Sequence, residues 1–583
     1  MSGSPSLPTS FSSEEKKSLL KSVVIHQREE QPALPDGEAQ PDEENAKYGS
    51  TTAMCNGGGA TTTATSKKKQ PVNPIKPARR TQTTFIQDAI NFSEGSVPQS
   101  MVIAVVIGIV VGLVGALYFE IMVAGLELFW KTLPRQFVIG TWPESTYCLW
   151  IPLVGLSAAV CLGLCVIYLG DPGDLAYTVK CVHDKAYVGM DHVLPMAAAS
   201  LFSIWSGASV GPEAPLIAIG AALGGYFSRR VFRQTRRNVI RKHTLMGMAG
   251  VLAAFFGCPL GGSLFALEIN SRFGVEYFEH MIEAIFCGEV TMVVFRIATG
   301  LPIAQIWEFD LVLDEVEPRI VILGAIIGVL GAGIATLFAM FHWRVVEVFD
   351  WFNLLDNKYA VWRGSISAIG IAIIGMLIPH TMFWGEDEFQ QIATMAPAKE
   401  LENVFPTSGL INFEMTSWKS ALIVGVCKMI SISLALAGGY RGGFIFPFFA
   451  AGAGFGRALC FFFPSVPVPV ACLCFAGAIN VAITRGCLGT ALILTFVSGE
   501  GNLIGPILFS CLASSCVTVY MPFIKTQIIR SDINESVYLL EDDHLNEDWT
   551  ANRHHRHSMK RVAMDLEEIV DEPDPPGSPF VRT

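Results

Sequence analysis

Charged residues are scarce in this sequence. Asp, Glu, Lys and Arg make up 16% of its 583 residues, whereas hydrophobic residues make up 51% and the mean hydropathy is +0.43. A soluble protein of this length would carry far more charge, so the composition excludes that class. The formal net charge of −11 gives no reason to expect a nucleic-acid partner.

Other absences exclude further classes of protein. No apolar stretch lies near Met1, so a signal peptide is not expected. The apolar segments contain neither a Ser/His pair nor paired aspartates, which argues against an intramembrane enzyme. The 14 cysteines are scattered through apolar segments without ligand partners, so we interpret them as small core residues and expect neither a metal site nor a cofactor.

Long apolar runs are abundant instead. A membrane-spanning helix needs roughly 20 mostly apolar residues. Four runs without Asp, Glu, Lys or Arg qualify, and shorter apolar pieces interrupted by Gly and Pro lie between and after them. The long runs are 101–119, 151–170, 320–341 and 366–383, and the shorter pieces are 193–206, 214–227, 247–267, 443–463 and 467–484. Non-helical backbone at membrane depth persists only where it is buried or lines a cavity, so the sequence predicts an all-α polytopic membrane protein with broken helices.

Polar segments flank this apolar region. Residues 1–95 are rich in Ser, Thr, Gly and Pro and lack apolar periodicity, which predicts a disordered cytoplasmic N-terminal tail. The transmembrane domain is expected over 96–530. Residues 531–583 carry acidic runs and are predicted to form a cytoplasmic C-terminal tail without paired regulatory domains.

An internal repeat relates the two halves of the membrane domain. The segments PLIAIGAALG at 215–224 and PFFAAGAGFG at 447–456 share five of ten residues at a separation of 232 positions. A weaker match relates 259–264 to 487–492 at a separation of 228. The nearly equal separations indicate duplication, because Gly/Ala-rich helices alone would match at any offset.

The loops that follow the first pair of repeats differ in charge. Residues 229–242 carry seven Lys and Arg residues, whereas 457–470 carry only Arg457. By the positive-inside rule, the first loop is cytoplasmic and its counterpart lies on the other side. The repeat is therefore predicted to be inverted, which places a substrate site near the bilayer midplane between the halves.

Glu213 is the acid in one of the breaker segments that precede the repeated helices. These segments lie at 211–215 and 442–447, and a third candidate lies at 170–174. The unpaired N–H groups and positive dipole end of such helices bind anions. A carboxylate at this point competes with a permeating anion, and its protonation would release it. The alternative is that Glu213 lies in a water-filled entrance of the protein and only caps its helix.

In order and spacing, the three segments resemble the CLC chloride channels and chloride/proton exchangers, whose hallmarks are GSGIP, G-(K/R)-E-G-P and G-x-F-x-P. The resemblance covers about residues 100–530. It implies that Glu213 is the gating glutamate and that backbone N–H groups of the third segment bind the anion. The anion-binding residues implied in this way are Asp171, Gly173, Gly211, Gly443, Phe444 and Ile445.

Asp171 departs from the family pattern, because it takes the place of the inner anion-filter serine. If Asp171 faced the anion path, its carboxylate would repel anions. The alternative, more in keeping with its chemistry, is that Asp171 caps the following helix and leaves amides such as that of Gly173 to bind the anion. This departure leaves nitrate or another anion open beside chloride.

Two further departures concern proton transfer and the inner mouth. The position of the exchangers' second glutamate falls on Ile269, so a proton path would have to use Glu268, one residue earlier. The position of the tyrosine that closes the inner anion path in many members falls on Ile524, which favours a wider inner mouth.

Together these features predict a CLC-like channel, voltage-gated and homodimeric as the resemblance implies, that conducts chloride through the bilayer under control of Glu213. The alternatives are a chloride or nitrate/proton exchanger and, in another class, a non-conducting membrane scaffold. Chloride is expected as the transported ligand.

Overall fold

The computed structural model describes residues 96–270, 281–303, 305–309, 316–519 and 523–524. The tails predicted at 1–95 and 531–583 lie outside these residues. Within them the chain forms seventeen α-helices, numbered here in chain order. They are α1 Val97–Glu127, α2 Leu133–Phe137, α3 Trp150–Leu169, α4 Leu175–Lys185, α5 Val193–Trp205, α6 Glu213–Tyr226, α7 Arg237–Phe256, α8 Pro259–Glu268, α9 Met281–Thr299, α10 Pro318–Trp351, α11 Ala360–Leu377, α12 Glu386–Thr394, α13 Trp418–Ala437, α14 Ile445–Phe462, α15 Val468–Thr484, α16 Cys487–Ser498 and α17 Ile504–Val517.

Seven helical stretches of the described chain are long and apolar enough to cross a membrane: Val97–Phe137, Glu144–Leu169, Arg237–Phe256, Pro318–Trp351, Asn357–Leu377, Trp418–Ala437 and Ile445–Phe462. The four long runs lie in α1, α3, α10 and α11, and the fold class is confirmed. The fourth boundary was wrong. Helix α11 ends at Leu377, because the proline at 379 has no N–H to continue the helix.

Charged residues hid one helix of the bundle from the sequence prediction. Helix α9 carries Glu283, Glu289 and Arg296, so no uncharged run marks it. Its Glu283 is buried and accepts a hydrogen bond from Nζ of Lys242 at 3.1 Å, which satisfies both charges inside the bundle. The segment expected at 247–267 also forms two helices, because the chain turns at Gly257 with φ +65° and restarts at Pro259.

The repeat appears in the structure as equivalent helix starts. Helices α6 and α14 begin at Glu213 and Ile445, 232 positions apart, and α8 and α16 begin at Pro259 and Cys487, 228 positions apart. Each separation equals that of the corresponding sequence match. The duplication therefore extends from the sequence to the helix boundaries.

Small residues allow the repeated helices to pack closely in both halves. A methyl group added at Gly220 of α6 would overlap the carbonyl oxygen of Gly247 of α7. At the equivalent place, a methyl group at Gly452 of α14 would lie 2.5 Å from the backbone of Ala476 of α15. Close backbone approach of this kind is how helices associate in a membrane, where lipid weakens hydrophobic association. The shared glycines are thus the packing contacts that hold each pair together.

Candidate functional site

The two halves meet through a pair of equivalent glycines. The N–H of Gly211 donates to the carbonyl oxygen of Gly443 at 2.8 Å, and the N–H of Gly443 donates to that of Gly211 at 2.6 Å. This antiparallel bridge joins positions 232 residues apart, the separation of the repeat. Equivalent residues that pair in antiparallel fashion lie on a local two-fold axis. The breaker segments before α6 and α14 therefore face each other at the junction of the two halves, which is called the seam below.

Glu213 bridges that seam from the start of α6. Its side chain is fully buried, and Oε1 accepts a hydrogen bond from the backbone N–H of Phe446 in the first turn of α14 at 3.1 Å. The first N–H groups of a helix have no partner within the helix, so the carboxylate occupies a donor that an anion would use. Oε2 is buried and has no hydrogen-bond partner among the described residues.

Both bridging positions require glycine because of the carboxylate between them. A methyl group at Gly211 or at Gly443 would overlap Oε2 of Glu213. Gly211 and Gly443, both predicted as anion-binding, therefore make room for the Glu213 side chain. Glycine allows the backbone of both halves to approach a charged group closely.

The structure adds Phe446 to the candidate site. The sequence comparison identified the amides of Phe444 and Ile445, which precede and begin α14, but the amide that bonds Glu213 is one residue further along. The Phe446 ring is fully buried and packs against Phe255, Phe256 and Trp307, with ring centroids 5.5 to 6.0 Å apart. This packing holds the first turn of α14, and hence its N–H groups, in place.

Asp171 does not cap the following helix, so that expectation was wrong. The cap of α4 is Asp174, whose carboxylate accepts from the N–H of Tyr177 at 2.8 Å. Asp171 instead accepts from the N–H of Gly173 at 3.0 Å and pairs with Arg441 at 2.6 Å. The Gly173 amide, predicted to bind the anion, therefore bonds Asp171 in this structure.

The Asp171–Arg441 pair connects the first motif segment to the third. The backbone N–H of Arg441 donates to Oγ of Ser203 at 2.9 Å, which fixes the segment that leads to Gly443. Burial opposes ionisation of Asp171, but Arg441 and the Gly173 N–H outweigh it, so its pKa lies below the ordinary value. Arg441 thus neutralises the carboxylate that replaces the family's serine.

Glu268 stabilises a helix in the other half. Its carboxylate accepts from the N–H groups of Leu488 at 3.0 Å and Gly489 at 2.8 Å, in the first turn of α16. That helix begins after Gly486 and has no side-chain cap of its own. Glu268 therefore supplies from α8 the anionic partner that the α16 N-terminus lacks. Its role as a proton path stays a prediction.

An aromatic ring lies beside the position where the family tyrosine is expected. Ile269 and Ile524 are both buried. The ring next to Ile524 along the chain, Phe523, packs edge-on against Phe444, with centroids 6.2 Å apart. The tyrosine hydroxyl is missing, but an aromatic ring still contacts the start of α14. This contact argues against the wider inner mouth expected from Ile524 alone.

The intramembrane cation Lys428 lies on α13 and is fully buried. Its Nζ donates to the carbonyl oxygens of Met382 and Phe383 at 2.8 Å and of Thr381 at 3.3 Å. Three acceptors for three donors satisfy the ammonium group. Lys428 is therefore used to fix the 381–383 turn against α13.

Comparison with known proteins identifies the family and the fold of the chain. Residues 178–519, more than half of the chain, match the model of the voltage-gated chloride channel family. The chain belongs to the CLC family. YfeO, a proposed ion-transport protein of Escherichia coli (strain SE11), is 24% identical over 66% of this chain and 84% of its own length. YfeO of Shigella boydii serotype 4 (strain Sb227) is 25% identical over 49% of this chain and 62% of its own length.

Solved CLC structures share the fold. A slow cyanobacterial Cl−/H+ antiporter superposes with a TM-score of 0.59 at 19% identity, over 77% of this chain and 99% of its own. A CLC-type fluoride/proton antiporter gives 0.58 at 16% identity, over 77% and 100%. The chain is thus a multi-pass membrane protein of an anion-transporting family.

Proposed function

We propose that this CLC protein conducts chloride through the membrane and that Glu213 is its gate. The carboxylate at the seam supports this proposal, because it bonds the Phe446 N–H at the N-terminus of α14. An anion that enters the seam needs the same donor. Conduction therefore requires the carboxylate to leave, and an arriving chloride competes with it.

The unpaired oxygen of Glu213 supports a gate that moves. A buried carboxylate with one unsatisfied oxygen is costly to hold, which lowers the free energy needed to release it. Protonation would remove the charge that the α14 amides attract. Glycine at 211 and 443 provides the room that the carboxylate occupies, because a methyl group at either position would overlap Oε2.

A passive channel is favoured over an exchanger by the positions of Glu268 and Ile269. Both carboxylate oxygens of Glu268 bond the α16 N-terminus, so proton transfer through Glu268 would weaken that cap. Ile269 carries no titratable group. The exchanger remains the second candidate, because two proteins of similar fold are an antiporter of chloride and protons and an antiporter of fluoride and protons.

Family membership extends the proposal to assembly and orientation. We infer a voltage-gated homodimer with one pore in each subunit and both tails on the cytoplasmic side. The seven basic residues of 229–242 support that orientation. On this proposal the protein transports anions and has no enzymatic activity. Glu213 at the seam distinguishes it from a membrane scaffold, which would not need an acid at that position.

Anion efflux from liposomes tests the gate. Purified full-length protein and its Glu213→Gln variant are reconstituted, and chloride release is recorded at several values of pH, with proton movement followed in parallel. Glutamine keeps the size of the side chain but cannot ionise, so the variant should lose the pH dependence of chloride release. Glu144→Gln, an exposed change outside the seam, is the matched control and should behave as wild type.

The result also separates the alternatives. Chloride release without proton movement supports the channel, and a fixed ratio of protons to chloride would establish the exchanger. No anion flux from correctly folded protein at any pH would leave only the scaffold.

A further inference from the structure

A cavity of about 400 Å³ opens beyond the far end of α6, the helix that begins with Glu213. It lies between the end of α4, the segment before α5 and the π-helical turn Phe227–Val231 that extends α6. Its walls include the cations Lys185, Arg229 and Arg230 and the rings of Tyr177, Tyr187 and His192. Cavities of this volume hold small organic ligands.

The basic loop 229–242 divides into residues that stabilise the fold and residues that line this cavity. Arg237 donates to the carbonyl oxygens of His183 and Asp184 at 2.9 and 2.6 Å, and Arg241 donates to that of His183 at 3.0 Å. Both neutralise the carbonyl end of α4. These arginines have structural partners, so they do not provide the binding surface.

The cavity cations have no such partners. Among the described residues, none of Lys185, Arg229 and Arg230 forms a salt bridge. The guanidinium of Arg229 lies 3.6 Å above the ring centroid of Tyr187, which orients it without neutralising it. The only carboxylate of the described lining is that of Asp191, which lies 3.6 Å from Nε2 of His192. The wall is therefore net positive.

Exposed apolar side chains lie in the cavity lining or next to it along the chain. Leu194 and Val231 are 67% and 51% exposed, and the lining residues Met190 and Tyr226 are 40% and 43% exposed. In a membrane protein, apolar side chains with this exposure face lipid. Cations beside an apolar rim match a ligand that has a charged head and an apolar body.

We propose that this cavity binds the phosphorylated head group of an anionic lipid. Arginine presents paired N–H donors that match phosphate oxygens, and basic pockets at the membrane surface bind such head groups. The apolar rim favours a lipid over free phosphate, because it accommodates the glycerol and the first acyl carbons. A bound lipid would contact the end of α6 opposite Glu213.

Lipid binding is measured on full-length protein in detergent by native mass spectrometry, with phosphatidylinositol phosphate as the probe and phosphatidylcholine as the uncharged reference. Each of Arg229→Gln and Arg230→Gln should weaken binding about fivefold, since a basic residue near a phosphate contributes ~1 kcal/mol. Arg233→Gln removes a charge from the same loop but lies outside the cavity lining, so it should leave binding unchanged.

Asp191→Asn provides a second test that removes no cation. Loss of the only acidic group of the described lining should strengthen binding of phosphatidylinositol phosphate several-fold. If Arg229→Gln and Arg233→Gln weakened lipid binding equally, the overall positive charge of the loop would explain the effect, and the proposed site would be wrong. Inositol phosphate that binds as tightly as the lipid would overturn the lipid as its source, and equal binding of phosphatidylcholine would overturn both.

Discussion

The starts of α6 and α14 are equivalent in the repeat but differ in chemistry. Both follow a glycine of the bridge, and both start at the seam between the halves. Helix α6 contributes the Glu213 carboxylate, whereas α14 contributes the Phe446 N–H that accommodates it. On the proposed function, the two halves therefore keep one backbone plan and divide the roles of gate and anion receptor between them.

This difference shows how an inverted repeat makes a site that neither half holds alone. Two identical halves would place two carboxylates or two sets of free N–H groups at the axis. Two carboxylates at the axis would repel each other, and two sets of N–H groups would leave the anion site without a gate. On the proposed function, one acid opposite one helix N-terminus gives an anion site that the protein itself can close.

Substitution of the bridging glycines should have the largest effect on the relation between the starts of α6 and α14. Gly211→Ala and Gly443→Ala each put a methyl group where Oε2 of Glu213 lies, so both should expel the carboxylate and raise basal chloride flux by about tenfold, or ~1.4 kcal/mol. Thermal unfolding should show a loss of about 1 to 3 kcal/mol from overpacking. Liposome efflux and detergent melting measure the two effects.

The glycine variants also have an internal control. Combined with Glu213→Gln, each alanine should add little further flux, because both changes act on the same side chain. Flux that rises additively would mean that the alanines open a separate path, and unequal effects of the two alanines would contradict the two-fold relation at the bridge.

The caps of α8 and α16 give the next largest contrast. Helix α8 is capped locally by Sγ of Cys258, which accepts from the Gly261 N–H at 3.3 Å, whereas α16 depends on Glu268 from the other half. Glu268→Ala removes the partner of two N–H groups, of which that of Gly489 is partly buried, and should cost about 1 to 2 kcal/mol. Cys258→Ala removes a weak acceptor and should cost less than about 1 kcal/mol.

Thermal unfolding of the purified protein measures both caps. Glu268→Gln is the matched variant, because its amide oxygen can still accept one hydrogen bond, and it should fall between wild type and Glu268→Ala. If Glu268→Ala abolishes proton movement while leaving stability unchanged, Glu268 is a proton-transfer residue and the capping role is wrong.

The smallest expected effect concerns Asp171, which joins the halves through Arg441. Asp171→Asn leaves Arg441 without its negative partner, so chloride should bind about fivefold more tightly on the side of the seam where Arg441 lies. This factor corresponds to ~1 kcal/mol, as expected for a partly exposed ion pair. The concentration dependence of flux measures this affinity. Asn357→Ala keeps the ion pair and removes only a neutral hydrogen-bond partner of Asp171, so it should change the affinity less than Asp171→Asn does.

The pH dependence of this pair has a definite sign. The folded-state pKa of Asp171 is depressed, so its stabilising contribution is present above the unfolded value of about 3.9 and is lost only as the pH falls through the lower, folded value. Wild type and Asp171→Asn should therefore show parallel flux profiles between about pH 5 and pH 8. Profiles that diverge in that window would show that the carboxylate titrates there.

The sequence predicted what depends on local pattern. Apolar length located α1, α3, α10 and α11, and the repeated glycines located the axis, because a helix start and its breaker lie within a few residues of each other. It missed α9, since three charged residues interrupt its apolar sequence, and Lys242, the partner of Glu283, is supplied only by the folded bundle.

The details of the site depend on contacts that local pattern does not contain. The relative position of the α6 and α14 N-termini decides which N–H group of α14 bonds Glu213. The local sequence does not contain this position, so Phe446 was missed. The partner of Asp171 lies 270 residues away, so the sequence near Asp171 suggested a local cap. A basic residue two positions before Gly443 was the available signal for Arg441.

The glycine bridge also determines when the site can form during synthesis. Ribosomes add roughly 5 to 20 residues per second, so Phe446 follows Glu213 by roughly 10 to 50 seconds. Until then the first half has no helix N-terminus to receive its carboxylate, and Glu213 must stay hydrated or protonated. On the proposed function, the anion site therefore forms late in biogenesis, and a chain arrested before residue 443 has the Glu213 carboxylate but lacks the helix N-terminus that receives it.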